Sequence, residues 1–323
     1  MMLTITALIA LLSSSTTETI EKSAEVPKPQ GPWAYALNFG SNVAYSHSSG
    51  VVGTPNGSTF KLGLQIDSSA TWTHQSHKVA STFEVNESFS KTPQLSPWLK
   101  ALDTFKFTTM YTYALPRVPW LGPFVGFALQ TQALPGFNIS SSDTNVVRIR
   151  SDGIQEEQVY AAQHRIPLTG AFEPLQLRES TGFSATAVER TALNVQVNLG
   201  LATQQILARH GYVVDDDAQT SDLELRQLQS QYQTGAEFTM KASGEWHERL
   251  SYKAEANVLQ PFYSSDGRQG LDALQAEFKA TFSVKVIQWI SIDYILMAKR
   301  VPSILSNWQI QNGLVLTAKY QIF

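Results

Sequence analysis

From Trp33 onward the sequence alternates apolar and polar residues over runs too long for ordinary globular strands. In 274–286, LQAEFKATFSVKV, Leu274, Ala276, Phe278, Ala280, Phe282, Val284 and Val286 fall on one face, with Gln275, Glu277, Lys279, Thr281, Ser283 and Lys285 on the other. Side chains alternate across a strand, so this segment has one apolar and one polar face. FKLGLQIDSSATW (60–72), LNVQVNLGL (193–201) and LSYKAEANV (250–258) repeat the division.

Twelve such segments of 13–16 residues can be placed, near 33–47, 58–73, 78–91, 100–115, 119–132, 174–187, 191–206, 230–243, 247–262, 273–286, 288–300 and 308–323. Globular strands run to roughly 5–6 residues. A strand tilted about 45° needs some 9–11 to cross hydrocarbon, and more to clear the headgroups. Length and even number favour an all-β fold, a transmembrane antiparallel up-and-down barrel of about 12 strands. Links after even-numbered strands are tight, whereas those after odd ones are longer, reaching about forty residues at 133–173 and about twenty-three at 207–229. That asymmetry separates periplasmic turns from extracellular loops and puts both termini in the periplasm.

Tryptophan gives an independent check, because an amphipathic indole prefers the membrane interface. Trp33, Trp72, Trp98, Trp120, Trp246, Trp289 and Trp308 all fall at or near the ends of these segments. The alternative, a soluble secreted β-barrel or sandwich, also alternates, but it would bury some tryptophans in strand centres. A β-solenoid would need a repeat of fixed period, which the sequence lacks.

Formal charge is only -3, charged residues make up 16% and no basic block occurs, which argues against a nucleic-acid partner. Without cysteine there is no disulfide scaffold, thiolate metal site or cysteine nucleophile. Residues 1–15, MMLTITALIALLSSS, read as a signal peptide whose n-region lacks Lys or Arg. Residues 16–31 read as a flexible periplasmic leader and 32–323 as the barrel. No later apolar run reaches eighteen residues, so no transmembrane helix is expected.

The chain ends in LTAKYQIF, which looks like the C-terminal signal read by the outer-membrane barrel assembly machinery, although Phe323 is one residue out of step with Ile322, Tyr320, Ala318, Leu316 and Leu314. FALQTQALPGF (127–137) and LQLRESTGFSATA (175–187) resemble an uncharacterised bacterial outer-membrane β-barrel family, domain of unknown function 3078. The resemblance implies a fold and a Gram-negative outer-membrane location, with lipid bilayer and lipopolysaccharide as surroundings, and no substrate or catalytic residue to carry over.

Few constellations suggest chemistry. His47 and Ser49 share a strand phase, and a lipid hydrolase could use such a pair, the imidazole taking the hydroxyl proton. Gly50 follows and no third residue orients His47, so the Ser-rich loop composition already explains the pair. His74 and His77 flank a tight turn and His247 lies in another, a weak basis for a metal site. Asp215, Asp216, Asp217, Asp222 and Glu224 form an acidic loop without calcium-loop spacing. We therefore expect no catalytic residue, no cofactor and no metal ligand.

The inward phase collects charge of both signs: Lys61, Asp67, Lys78, Glu84, Lys106, Glu237, Lys241, Lys253, Glu255, Glu277, Lys279, Lys285, Asp293, Lys299 and Lys319. A selective pore concentrates one sign at a constriction, whereas this mixture suggests cross-strand pairs filling the interior. Two functions remain, a narrow passive channel for small solutes and a structural or interaction barrel. VVRIRSDGIQEEQVYAA (146–162) alternates around Asp152-Gly153 as a hairpin that can plug the barrel or stand outside it.

Overall fold

A computed structural model describes residues 31–48, 57–215, 220, 222–247, 249–302 and 305–321. The expected signal segment 1–15, all but the last residue of the leader, and Ser49 lie outside them. Eighteen strands are found among the described residues, with one short 3-10 turn at Gly270–Asp272.

Twelve strands make the barrel: β1 (Trp33–Ser48), β2 (Gly57–His74), β3 (His77–Lys91), β4 (Leu99–Tyr113), β5 (Leu121–Thr131) and β10 (Leu175–Arg190) form one half. The other half is β11 (Leu193–Leu207), β14 (Gln231–Trp246), β15 (Leu250–Ser264), β16 (Gln275–Ile287), β17 (Ile290–Val301) and β18 (Leu305–Gln321). Every neighbouring pair is antiparallel, and β18 pairs back with β1 through Asn38↔Gln321 to Val43↔Leu316. Closure gives every barrel strand a hydrogen-bonded neighbour on each side, so no strand edge is left wholly open. The described ends of β1 and β18 lie at the short-turn end.

All twelve expected strands are present, with boundaries moved by a few residues. β10 runs on to Arg190 because a bulge between Thr186 and Val188 adds a residue and shifts its phase. β15 starts at Leu250 and ends at Ser264, later than its expected span. The extra residue in a bulge is invisible to a count of alternation.

The remaining strands come from the two longest links. β6 (Gly136–Ile139), β7 (Thr144–Ile149), β8 (Gln155–Tyr160) and β9 (Arg165–Thr169) lie between β5 and β10; β12 (Tyr212–Val214) and β13 (Leu223–Gln227) lie between β11 and β14. β7 and β8 are the expected hairpin, with Gly153 at φ +83 in its turn, a conformation that only glycine adopts at little cost. The sequence reading missed β6, β9, β12 and β13. β13 pairs in parallel with β7, so the two links join in one sheet of order β12-β13-β7-β8. That sheet and the β6-β9 pair enclose Val146, Ile166 and Leu225, each 0% exposed, with Tyr160, Leu168, Tyr212 and Leu223 packed around them. We refer to this unit as the platform.

Candidate functional site

The wall inverts the arrangement of a water-soluble core. Leu199 is 62% exposed on the outside, and its neighbour Asn198 faces inward at 8%. Phe183, Phe282, Leu314 and Leu316 are likewise exposed outward, whereas Ser184, Gln204, Gln233, Glu237 and Thr239 are buried inside. Outward cross-strand pairs are apolar, as in Leu199↔Phe238 and Phe282↔Tyr294. Inward pairs are charged, as in Glu84↔Lys106, Glu255↔Lys279 and Glu277↔Lys299. Cross-strand pairs of opposite charge each add about 0.2–1 kcal/mol.

The tryptophans sort to the two ends of this band. Trp33 and Trp72 are cross-strand partners at the short-turn end, and Trp120, Trp246 and Trp289 stand there too, at or beside the short turns. Trp98 and Trp308 mark the long-loop end, where Trp98 packs edge-on against Phe60 at 5.8 Å. His77 donates or accepts at Tyr111 Oη, 2.8 Å away, and packs on Tyr113, while His74 stacks on Trp72.

Toward the long-loop end the outward face carries acids that the sequence reading did not pick out. Glu87, in phase with Val85 and Phe89, stands opposite Asp103. Asp103 accepts from Lys100 Nζ at 2.7 Å and from the backbone N–H groups of Ala133 and Leu134 at 2.7 and 2.9 Å, tying β4 to the start of the platform link. Glu179 is exposed on the outward side of β10, opposite Phe127 and Thr203.

Inside the lumen, side chains from facing strands border a small cavity. Lys106 of β4 and Lys299 of β17 meet there with Arg178, Asn257, Gln275 and Glu277. Arg178 Nη2 lies 2.9 Å from Glu237 Oε1, and Lys241 Nζ lies 3.7 Å from Glu255 Oε1. Gln275 donates to Gln233, which donates to Ser264 Oγ at 3.0 Å. Arg178 Nε, Glu237 Oε2 and Asn257 Oδ1 have no protein hydrogen-bond partner among the described residues. Arg178 was absent from the inward set read from the sequence. All residues bordering the cavity come from the barrel strands, none from the β7–β8 hairpin.

Hydrogen bonds fasten the two long links to each other and to the β3–β4 link. Glu173, 5% exposed, accepts from the backbone N–H groups of Gly170, Arg209 and Gly211 and so binds both long links together. Gln163 reaches the β3–β4 link through Ser96 N at 2.9 Å and Gln94 O at 3.0 Å. Arg148 lies 5.7 Å from the rings of both Tyr160 and Tyr212, a cation–π contact worth about 0.5–1 kcal/mol where exposed.

The remaining candidates do not assemble. His47 lies on β1 opposite Ser58, and Ser49 is outside the described residues. Of the acidic loop, Asp215 pairs with Arg226 at 2.7 Å and Glu224 accepts from Thr220, while Asp216 and Asp217 lie outside the described residues. Among the described residues, no three metal-ligating side chains converge.

No family model matches the chain, and no curated protein matches it in sequence. Among solved structures it is similar to the β domain of the Bordetella autotransporter BrkA, at 10% identity and TM-score 0.33 over 90% of this chain and 98% of that one. It is similar also to the translocator domain of the autotransporter NalP from Neisseria meningitidis, at 10% identity and TM-score 0.37 over 98% and 92%. A third likeness is to the COG4313 outer membrane channel from Pseudomonas putida F1, at 8% identity and TM-score 0.38 over 94% and 99%. The barrel assignment rests on the closed strand order, not on these likenesses.

Proposed function

We propose that the chain is an integral outer-membrane protein of a Gram-negative bacterium, a narrow passive channel for small polar solutes that performs no chemistry. The apolar outward face, bounded by tryptophans at both ends, suits hydrocarbon between two interfaces. Bilayer and lipopolysaccharide would surround it after insertion by the barrel assembly machinery, with the short turns periplasmic. The observation that carries the channel reading is the lumen, where charged and amide side chains of facing strands, Lys106, Arg178, Lys299, Gln275 and Glu277 among them, border a cavity. Kinship with domain of unknown function 3078 is proposed on 127–137 and 175–187; the first runs from the end of β5 into β6, and the second lies on β10, the neighbour of β5.

The test is conductance in planar bilayers with an open general porin recorded alongside. The expected result is a small conductance that rises in Arg178→Ala, because the guanidinium borders the lumen cavity. Absence of any conductance in both proteins, each refolded and heat-modifiable on gels, would reject the channel. Purified protein should release no fatty acid from phospholipid or lipopolysaccharide; deacylation abolished by Ser49→Ala would reverse the non-enzymatic reading.

A second reading, an interaction barrel, is favoured by one specific observation. The two long links fold around a shared core, which makes a rigid surface suited to a partner.

A further inference from the structure

We infer that the lumen opens sideways into the outer leaflet through a split between β1 and β18, which takes the polar head of a single-chain amphiphile; the inference rests on the channel reading and adds a lateral route to it. β1 and β18 have 16 and 17 residues, yet six residue pairs join them, from Asn38↔Gln321 to Val43↔Leu316. The next shortest ladder of the wall, β4 with β5, has eight. On their other sides both strands stay in the sheet: all 16 residues of β1 pair with β2, and β18 follows β17 from Ala318 to Gln309 without a break. Continued in register, Ala44 would meet Val315 and Tyr45 would meet Leu314; among the described residues neither pair forms. The unjoined edge of β1, Ala44 to Ser48, runs toward the long-loop end for about 17 Å.

An open backbone edge is not tolerated against hydrocarbon; it persists at membrane depth only where it borders water or a polar group. The two edges therefore call for lumen water or a polar ligand between them. On the outward side the split is flanked by exposed apolar rows, Val43 and Tyr45 on β1 and Leu314 and Leu316 on β18. Tyr45 Oη lies 3.0 Å from Ser58 Oγ, which draws the ring toward β2 and away from β18. On the inward phase of β18, Gly313 has open space where a Cβ would stand. A molecule seated across the split thus meets backbone donors and acceptors between the edges and one apolar row on each outer flank. A polar head with one acyl chain presents the matching surfaces in that order.

The experiment uses the full protein reconstituted in phosphatidylcholine bilayers. Spin-label pairs at Val43→Cys/Leu316→Cys and Tyr45→Cys/Leu314→Cys, in a chain without native cysteine, report the split as inter-label distances. The first pair should give one short distance and the second a longer one; equal distances would show that the ladder runs on and would overturn the inference. Lysophosphatidylcholine with a photoreactive acyl chain should label Tyr45 and Leu314 about tenfold more than the outward Phe183 and Leu199 of β10 and β11, the effect of roughly one hydrogen bond. Two-chain phosphatidylcholine carrying the same photoreactive group should label all four alike. Gly313→Trp, which fills the open space, should lower the focused labelling about tenfold, and Lys279→Gln should leave it unchanged. Heat-modifiable mobility certifies both variants as folded. Uniform labelling by the lysolipid, equal focusing of the two-chain lipid, or a folded Gly313→Trp protein with normal focused labelling would each overturn the inference. Conductance without focused labelling sinks the lateral route and spares the channel; focused labelling without conductance sinks the channel and spares the split.

Discussion

The wall and the platform are built from the same alternation and use it in opposite senses. In the wall apolar residues such as Leu199 and Phe282 are exposed outward, and polar ones such as Gln233 and Glu237 are buried inside. In the platform the apolar phase faces in, on Val146, Ile166 and Leu225, and the exposed strand β8 reads QEEQVY. Burying apolar surface away from water stabilises by about 25 cal/mol per Å² whatever replaces the water. Protein replaces it in the platform, and the account requires lipid to replace it around the wall. One chain thus carries two environments, divided at the long-loop end.

Core truncation in the platform should have the largest effect and should stay local. Leu225→Ala removes a side chain packed against Val146 and Ile166 and should destabilise the platform by about 2–5 kcal/mol. Trypsin would then cut intact cells at Arg148, Arg150 or Arg165 while the barrel keeps its heat-modifiable mobility. If the barrel fails with the platform, the two regions are not separate units.

Charge on the outward face of the wall comes next. Phe282→Arg should impair assembly at a cost of about 2–4 kcal/mol, read as loss of folded protein from the outer-membrane fraction. The matched inward change, Lys279→Gln, should be tolerated. Normal assembly of the first with failure of the second would invert the faces.

Glu173→Gln tests the joint between the regions. The carboxylate accepts three backbone N–H groups from the two long links, and its neutral amide keeps a single acceptor oxygen. A loss of about 1–3 kcal/mol should appear as faster hydrogen exchange at Arg209 and Gly211, with the exchange of β14 and β15 amides unchanged. Uniform exchange across both regions would show that Glu173 is not the joint.

How much of this was legible beforehand follows from sequence range. The twelve wall strands announce themselves because each is long and two-faced, and neighbours in the sheet are mostly neighbours in sequence. Strands of three to five residues such as β12 and β13 carry too few positions for a period to register, and the parallel pairing of Leu223 with Val146 leaves no local trace. Arg178 escaped because its strand blurs the two phases: Glu179 and Thr181 put polar residues on the outward side of LQLRESTGF. Glu87 and Asp103 escaped because each puts a carboxylate in the outward, otherwise apolar phase of its strand. The mixed lumen charge was visible as a list, but the meeting of Lys106, Arg178 and Lys299 at one cavity needed the closed circle.

The central claim is that lipid covers the outward phase and water reaches the inward one. The chain has no cysteine, so single spin labels can be placed at Phe278→Cys, Lys279→Cys, Phe282→Cys and Ser283→Cys in protein reconstituted into bilayers. The measurement is relaxation of each label by oxygen, which concentrates in hydrocarbon, against a water-soluble nickel complex. The account predicts oxygen-dominated relaxation at 278 and 282 and nickel-dominated relaxation at 279 and 283. Strong nickel access at all four positions, or the reverse alternation, would contradict it.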